Sequence, residues 1–344
     1  MPWHSLRGHD RVVRELRAGL EQGRLPHALL FVGPEGIGKR AFALRLAQAL
    51  LCERVPEAKL DPCGACPSCL QVMAGSHPDV HQVRKPDDKN KLSIEVIRDL
   101  NVELGLKPSR GSRKVAIVDD ADDLNVEAAN AFLKTLEEPA PGSVLILVGT
   151  SAEIQLDTLV SRCRVVRFDP LPDAELAAVL LEQRVVDTPE DAARLARLGE
   201  GSVARARGLA EPALASFRRE LIHAMASPRG FDPSLLARKV DAFVKEAGKD
   251  GAAKRDRARL VIGEMARIFR GLIWRSAGLE APSPDPADRE AVGHLADRVG
   301  PDAALTLSDR CVEADYQVGR NVSMPILLEA LMHDVGHLTN PRPR

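Results

Sequence analysis

Residues Gly33-Pro34-Glu35-Gly36-Ile37-Gly38-Lys39-Arg40 have the types and spacing of a phosphate-binding loop. Gly33, Gly36 and Gly38 free the backbone so that its N–H groups can wrap an anion at a helix N-terminus, and Lys39 stands where it would reach the outer phosphates. The next position of such a loop ordinarily carries Ser or Thr, whose hydroxyl helps to hold Mg²⁺. Here it is Arg40, and a guanidinium cannot ligate a cation. A second acidic element, Ala116-Ile117-Val118-Asp119-Asp120, supplies Asp119 as a Mg²⁺ ligand, directly or through water. ATPases usually place Glu at the following position to orient the attacking water, and Asp120 is one methylene shorter. Both departures fall where the chemistry happens. The expectation is an ATP site with little or no turnover, nucleotide binding being left open. The alternative is a glycine-rich strand-to-helix turn without a ligand.

Cysteine supplies the other chemistry. Cys52, Cys63, Cys66 and Cys69 are spaced C-x10-C-x2-C-x2-C, with Pro62, Gly64 and Pro67 interleaved. Such turns let thiolates converge tetrahedrally on Zn²⁺. Four thiolates close the shell and leave no position for a reacting water, so the spacing predicts a structural zinc module over about 52–69. His77 and His81 lie nearby but are not needed as ligands. Cys163 and Cys311 are isolated and read as buried apolar residues.

The elements that must position these groups alternate. His27 to Gly33 reads as a buried strand running into the phosphate loop, and Arg40 to Leu51 as the helix after it. Lys114 to Asp119, Ser143 to Gly149 and Cys163 to Phe168 are short apolar runs suited to parallel strands covered on both faces. Asn125 to Glu138 is a helix with Asn125 as its N-cap and Pro139 as its stop. Strands alternating with helices imply a doubly wound α/β sheet over 1–168.

Asp169-Pro170-Leu171-Pro172 reads as a linker. Three short helices follow, Asp173 to Gln183, Pro189 to Leu198 and Ser202 to Leu209, with Thr188 and Pro189 forming a helix start. They make a small lid over 169–211. From 212 to 344 the chain is helical, broken near Pro228 and at Ala281 to Asp288, the stretch richest in flexible-loop residues. Ala258 to Gly278 mixes apolar residues with Arg at helical spacing.

The 28% charged content and formal net charge of -1 exert no global pull toward nucleic acid or membrane. No apolar run is long enough to span a bilayer, and Met1 to Arg7 lacks the apolar core of a signal peptide. A cytoplasmic location is expected, where thiols stay reduced and metal is the better reading of clustered cysteines.

Asn130-Ala131-Phe132-Leu133-Lys134-Thr135-Leu136-Glu137-Glu138-Pro139, followed by Ser161-Arg162-Cys163, resembles the signature pair of bacterial clamp-loader subunits of the AAA+ class. The phosphate loop, the cysteine insertion, the acidic strand end and Ser-Arg-Cys occur in the family order, over about the first 210 residues. The resemblance implies a RecA-like AAA+ sheet with a zinc insertion, a helical lid and an all-α oligomerisation (collar) domain. It implies that Arg162 enters the ATP site of a neighbouring subunit as an arginine finger in trans. It places Thr150 at the polar sensor position near the γ-phosphate. Where ATPase members carry a second sensor arginine in Gly-Ser-x-Arg, this chain reads Gly201-Ser202-Val203-Ala204, with Arg205 adjacent. Departures at Arg40, Asp120 and Ala204 beside a kept Arg162 resemble the delta-prime branch of the family rather than its gamma/tau motor branch.

The implied partners are gamma/tau and delta subunits in a heteropentameric ring, with the sliding clamp and primed DNA reached through that complex and no membrane. Two competing readings are an active ATPase motor that tolerates Arg40 and a zinc-stabilised DNA-binding module. The balanced charge and scarce aromatics give the latter little support.

Overall fold

A computed structural model describes residues 7–86, 91–279, 289–318 and 322–341. The chain divides into two units, Met1–Gln183 with Gly201–Ala204, and Arg184–Glu200 with Arg205–Arg344. The lid expected over 169–211 therefore contributes residues to both. The loop expected at Ala281 to Asp288 lies outside the described residues.

The first unit is built on five parallel strands, β1 (Ala28–Val32), β2 (Val80–Val83), β3 (Lys114–Val118), β4 (Ser143–Val148) and β5 (Arg164–Arg167). Their order across the sheet is β2-β3-β4-β1-β5. β1, β3 and β4 are buried along their whole length, which is why they read as unbroken apolar runs. Alternate residues feed two cores. Leu29, Phe31, Val115, Ile117, Val144, Ile146 and Val148 face one of them, where α1 (Asp10–Glu21) and α2 (Lys39–Leu50) pack. Ala28, Leu30, Val32, Ala116, Val118, Leu145 and Leu147 face the other, under α4 (Ile94–Gly105) and α5 (Val126–Glu137). The short α3 (Pro67–Met73) belongs to the cysteine insertion.

The expected cap is in place: the Asn125 side chain accepts from Ala128 N at 2.7 Å, and α5 ends two residues before Pro139. Such a cap is worth about 1 kcal/mol. The edge strand β2 has only four residues, Val-His-Gln-Val, half of them polar, so no apolar run announces it. A four-residue helix, α6 (Asp157–Val160), leads into β5, and after residues 168–172, which lie in no helix or strand, the unit continues with α7 (Asp173–Glu182).

Among the described residues the second unit is helical. It comprises α8 (Pro189–Gly199), most of α9 (Val203–Ala210), α10 (Pro212–Ala226), α11 (Pro233–Lys245), α12 (Gly251–Ser276), α13 (Arg289–Ala296), α14 (Pro301–Val318) and α15 (Met324–Thr339). Thr188 caps α8 as expected, accepting from Asp191 N at 3.1 Å with Pro189 at the first helical position. α12 buries Ala258, Val261, Ile262, Met265, Ile268, Phe269 and Leu272, a helical stripe that makes it a core element of this unit.

Candidate nucleotide site and metal centre

Strand β1 delivers the phosphate loop, and the loop's glycines are there for steric reasons. A Cβ on Gly33 would stand 2.3 Å from the Phe168 carbonyl oxygen, and Gly36 has a left-handed φ of 74°. The far end of the loop is pinned by His9, which is buried and whose Nε2 donates to the Ile37 carbonyl at 2.8 Å. The His9 ring stacks edge-on with Phe42 and Phe168, and burial lowers its pKa, so the neutral form is favoured.

Lys39 opens α2 but is turned back onto its own loop. Its Nζ donates to the carbonyls of Gly33 at 2.5 Å and Pro34 at 2.6 Å, and burial lowers its pKa. Arg40, one residue on, points its Nε at Asp119 Oδ2, 3.4 Å away. The two positions that would share a metal ion thus pair with each other. Asp120 has a left-handed φ of 55°, lies 3.8 Å from Arg84 Nε, and has its pKa raised by burial. These residues do not fit Mg²⁺: the hydroxyl is missing, and a cation on Asp119 would sit against a guanidinium.

Thr150 joins this group through the backbone and through Asp122. Its carbonyl accepts from Gly33 N at 2.9 Å, and its N–H donates to Asp122 Oδ2 at 2.8 Å. Asp122 also accepts from Gln155 and has its carboxyl pKa raised by burial. Neither Asp122 nor His9 was singled out by motif. Asp122 lies in the acidic run Asp119 to Asp123, in which spacing alone does not say which carboxylate turns inward.

Ala204, at the expected sensor-arginine position, packs on the loop. Val203 and Ala204 donate backbone N–H groups to the Gly36 carbonyl at 3.0 and 3.3 Å. A side chain on Gly36 would meet Ser202 Oγ at 2.4 Å and Ala204 Cβ at 2.6 Å. The neighbouring Arg205 does not substitute for the missing arginine. It is held within the second unit by Glu200 at 3.1 Å and Glu264 at 3.4 Å.

Arg162 follows α6 at the surface. Its Nε donates to Glu137 Oε1 at 2.5 Å, and its Nη1 to the Thr158 carbonyl at 3.0 Å and Ser161 Oγ at 3.2 Å. Glu137 is the first glutamate of the Leu-Glu-Glu-Pro motif, and its partnership with Arg162 ties that motif to Ser-Arg-Cys. The side chain of Arg162 remains one-third exposed, and none of these bonds goes to the phosphate loop.

The four cysteines converge as their spacing requires. One sulfur from each of Cys52, Cys63, Cys66 and Cys69 lies within 4.8 Å of all the others. A tetrahedral Zn²⁺ with bonds of about 2.3 Å needs sulfurs roughly 3.8 Å apart. Backbone N–H groups point at three of them: Val55 and Cys63 donate to Cys52 Sγ, Cys66 to Cys63 Sγ, and Cys69 to Cys66 Sγ, at 3.3 to 3.5 Å. Such donors stabilise thiolates, and those of Ala65 and Cys66 help to lower the Cys63 pKa to about 6. Arg45 is buried on α2 with Nε and Nη2 unpartnered among the described residues; burial lowers its pKa against the opposing pull of Cys69 and Asp61, and burial raises the pKa of the Cys69 thiol when no metal holds it. Four thiolates around a divalent ion carry net negative charge, which a buried guanidinium offsets. The donor set fits a bound metal.

His77 is excluded as a ligand by its own bonds. Its Nδ1 accepts from Asp79 N at 3.1 Å, and its Nε2 meets Ser68 Oγ at 3.2 Å, while Ser68 Oγ bonds Glu53 at 2.6 Å. Cys163 and Cys311 lie apart from the cluster; Cys311 is buried as expected whereas Cys163 is only half-buried, and desolvation raises the pKa of each to about 12.

A family model described as DNA polymerase III, delta subunit matches residues 8–172. DNA polymerase III subunit delta' of Pseudomonas aeruginosa is 39% identical over 166 residues, 48% of this chain and 50% of that protein. Subunit delta' of Escherichia coli K12 is 37% identical over 226 residues, 65% of this chain and 66% of that protein. Subunit tau of Escherichia coli K12 is 33% identical over 283 residues, 79% of this chain and 41% of that protein. The chain thus spans between 41% and 66% of the length of these relatives.

Proposed function

Because the chain belongs to the clamp-loader family of DNA polymerase III subunits, we propose that it is a delta-prime-type, non-motor subunit of the clamp loader. It assembles with gamma/tau and delta subunits in a heteropentameric ring, in the cytoplasm, and assists ATP-driven loading of the sliding clamp onto primed DNA. Its own contribution to the chemistry is Arg162. Held by Glu137 but still one-third exposed, that guanidinium completes a neighbour's ATP site and stabilises charge on the transferring phosphate. Its own phosphate loop is kept as a nucleotide site of weak or absent turnover.

The observation that carries this reading is the pairing of Arg40 with Asp119. It fills the metal position of the chain's own site, while Arg162, held by Glu137, stays one-third exposed. Cys52, Cys63, Cys66 and Cys69 hold Zn²⁺, which closes the insertion and supplies fold stability rather than reactivity. The three domains are the AAA+ domain over 1–168, a lid over 169–211 and a collar domain over 212–344.

A gamma/tau-like motor is the second reading. The tau match reaches farther along this chain than either delta' match above, and Lys39 and Asp119 are retained. ATP hydrolysis by the purified chain, alone and with a gamma/tau partner, separates the two. Silence alone with Arg162-dependent turnover in the mixture supports the non-motor subunit. Robust turnover by the isolated chain establishes the motor.

A further inference from the structure

We propose that Arg40 takes the place of the metal ion, so that the phosphate loop binds a nucleoside di- or triphosphate without a divalent cation. The proposal rests on reading that loop as a nucleotide site and names the form of ligand it accepts.

In a metal-dependent loop, three features surround the outer phosphates: the lysine, a divalent cation, and the hydroxyl and carboxylate that hold the cation. Here the lysine is kept, the hydroxyl is replaced by a fixed cation, and the carboxylate faces that cation, with Arg40 Nε 3.4 Å from Asp119 Oδ2. A divalent ion on Asp119 would be repelled by the guanidinium, whereas a phosphate oxygen would be attracted to it. One guanidinium nitrogen faces Asp119 while 48% of the side chain stays exposed, so the fork retains donors for an incoming polyphosphate. Asp119 then orients Arg40 as it would otherwise orient a metal. Lys39 exchanges its bonds to the Gly33 and Pro34 carbonyls for phosphate oxygens on the same path.

A bound phosphate also meets no freed water-activating system. Asp120 is paired with Arg84, and Ala204 rather than arginine lies over Gly36. The site therefore holds nucleotide without consuming it, a standing ligand for the loop.

The test is calorimetric titration of the full chain with ADP and with ATP, in Mg²⁺ and in Mg²⁺-free buffer without a chelator, so that the cysteine site keeps its metal in both. The wild type should give Kd values that agree within about twofold in the two buffers. Arg40→Thr, which restores the hydroxyl, should bind at least about tenfold more weakly without Mg²⁺ than with it, the loss expected for one charge-assisted phosphate contact. Arg40→Lys keeps the positive charge and should remain metal-independent, which guards against a folding defect in the threonine variant. Wild-type binding that requires Mg²⁺ overturns the proposal, and so does absence of binding in both buffers. Either result leaves the outward role of Arg162 standing, because that role is read from turnover in the assembled mixture.

Discussion

The Arg40 guanidinium lies 3.4 Å from the Asp119 carboxylate, joining the first turn of α2 to the end of β3 across the mouth of the phosphate loop. An ion pair in which one partner is half exposed contributes little to stability, about 0–1 kcal/mol. Its importance is positional. It occupies the ground on which a metal would stand, and the neighbouring departures at Asp120 and Ala204 mean that removing the pair alone does not rebuild a hydrolytic site. Arg40→Thr by itself should therefore leave ATP turnover by the isolated chain at background. The triple change Arg40→Thr, Asp120→Glu, Ala204→Arg should raise it by about tenfold or more, a barrier change of about 1.4 kcal/mol. Phosphate release at saturating Mg²⁺ and ATP reads both; full activity in the single variant would show that Arg40 is the sole obstacle.

Arg162→Ala should leave the melting temperature of the chain nearly unchanged, since its partner Glu137 is exposed and solvent-screened. In the assembled loader it should cut ATP turnover by roughly 10³-fold or more if Arg162 acts as a full arginine finger. Glu137→Gln tests the anchor. Freed from its ion pair, the finger should still reach the neighbour's phosphate but be poorly oriented, giving an intermediate loss. Steady-state turnover of wild-type and variant rings checks both, and an unchanged rate in Arg162→Ala would remove the finger assignment.

Cys66→Ser removes a buried member of the sulfur set and leaves three ligands around a site whose shell needs four. The variant should lose stoichiometric zinc by elemental analysis and melt lower, by an amount consistent with several kcal/mol, because metal-binding free energy is folding free energy in such modules. Treating the wild type with a strong chelator should lower its melting temperature in the same direction. A variant with unchanged metal content and unchanged melting would refute the zinc module.

What could be read in advance was what is local. The glycine-rich turn after β1, the cysteine spacing, the caps at Asn125 and Thr188 and the apolar strands are each encoded within fewer than twenty neighbouring residues, and each stands where its spacing implied. What stayed hidden depends on partners brought together by the fold. Asp122 acquires its role only when Thr150, 28 residues away, arrives at the end of β4. His9 acquires its role only when the Ile37 carbonyl, 28 residues later, comes to its ring. That Arg205 would be held by acids of the second unit, instead of standing in for Ala204, required knowing that Glu264 lies 59 residues away on α12. The edge strand β2 was hidden for a different reason: at the rim of a sheet, short polar sequence suffices.

Glu264 gives the sharpest pH prediction. It is buried on α12 and meets Arg267 in a close contact, Arg218 Nε at 2.7 Å and Arg205 Nη2 at 3.4 Å. Burial, the largest influence, pushes its pKa up, but the charges of Arg267, Arg218 and Arg205 outweigh it and hold the carboxyl below its ordinary value. A carboxylate with a depressed folded pKa stabilises the fold above its unfolded value, about 4.3, and loses that contribution as pH falls through the folded value. Glu264→Gln should therefore destabilise the chain by about 2–4 kcal/mol at pH 7, leaving buried guanidinium groups without their counter-charge. The gap between wild type and variant should hold from pH 7 to about pH 5 and narrow at lower pH as wild-type Glu264 protonates. Differential scanning calorimetry across that range measures it. A gap that persists undiminished well below the folded pKa would mean that packing, and not charge, is what Glu264 contributes.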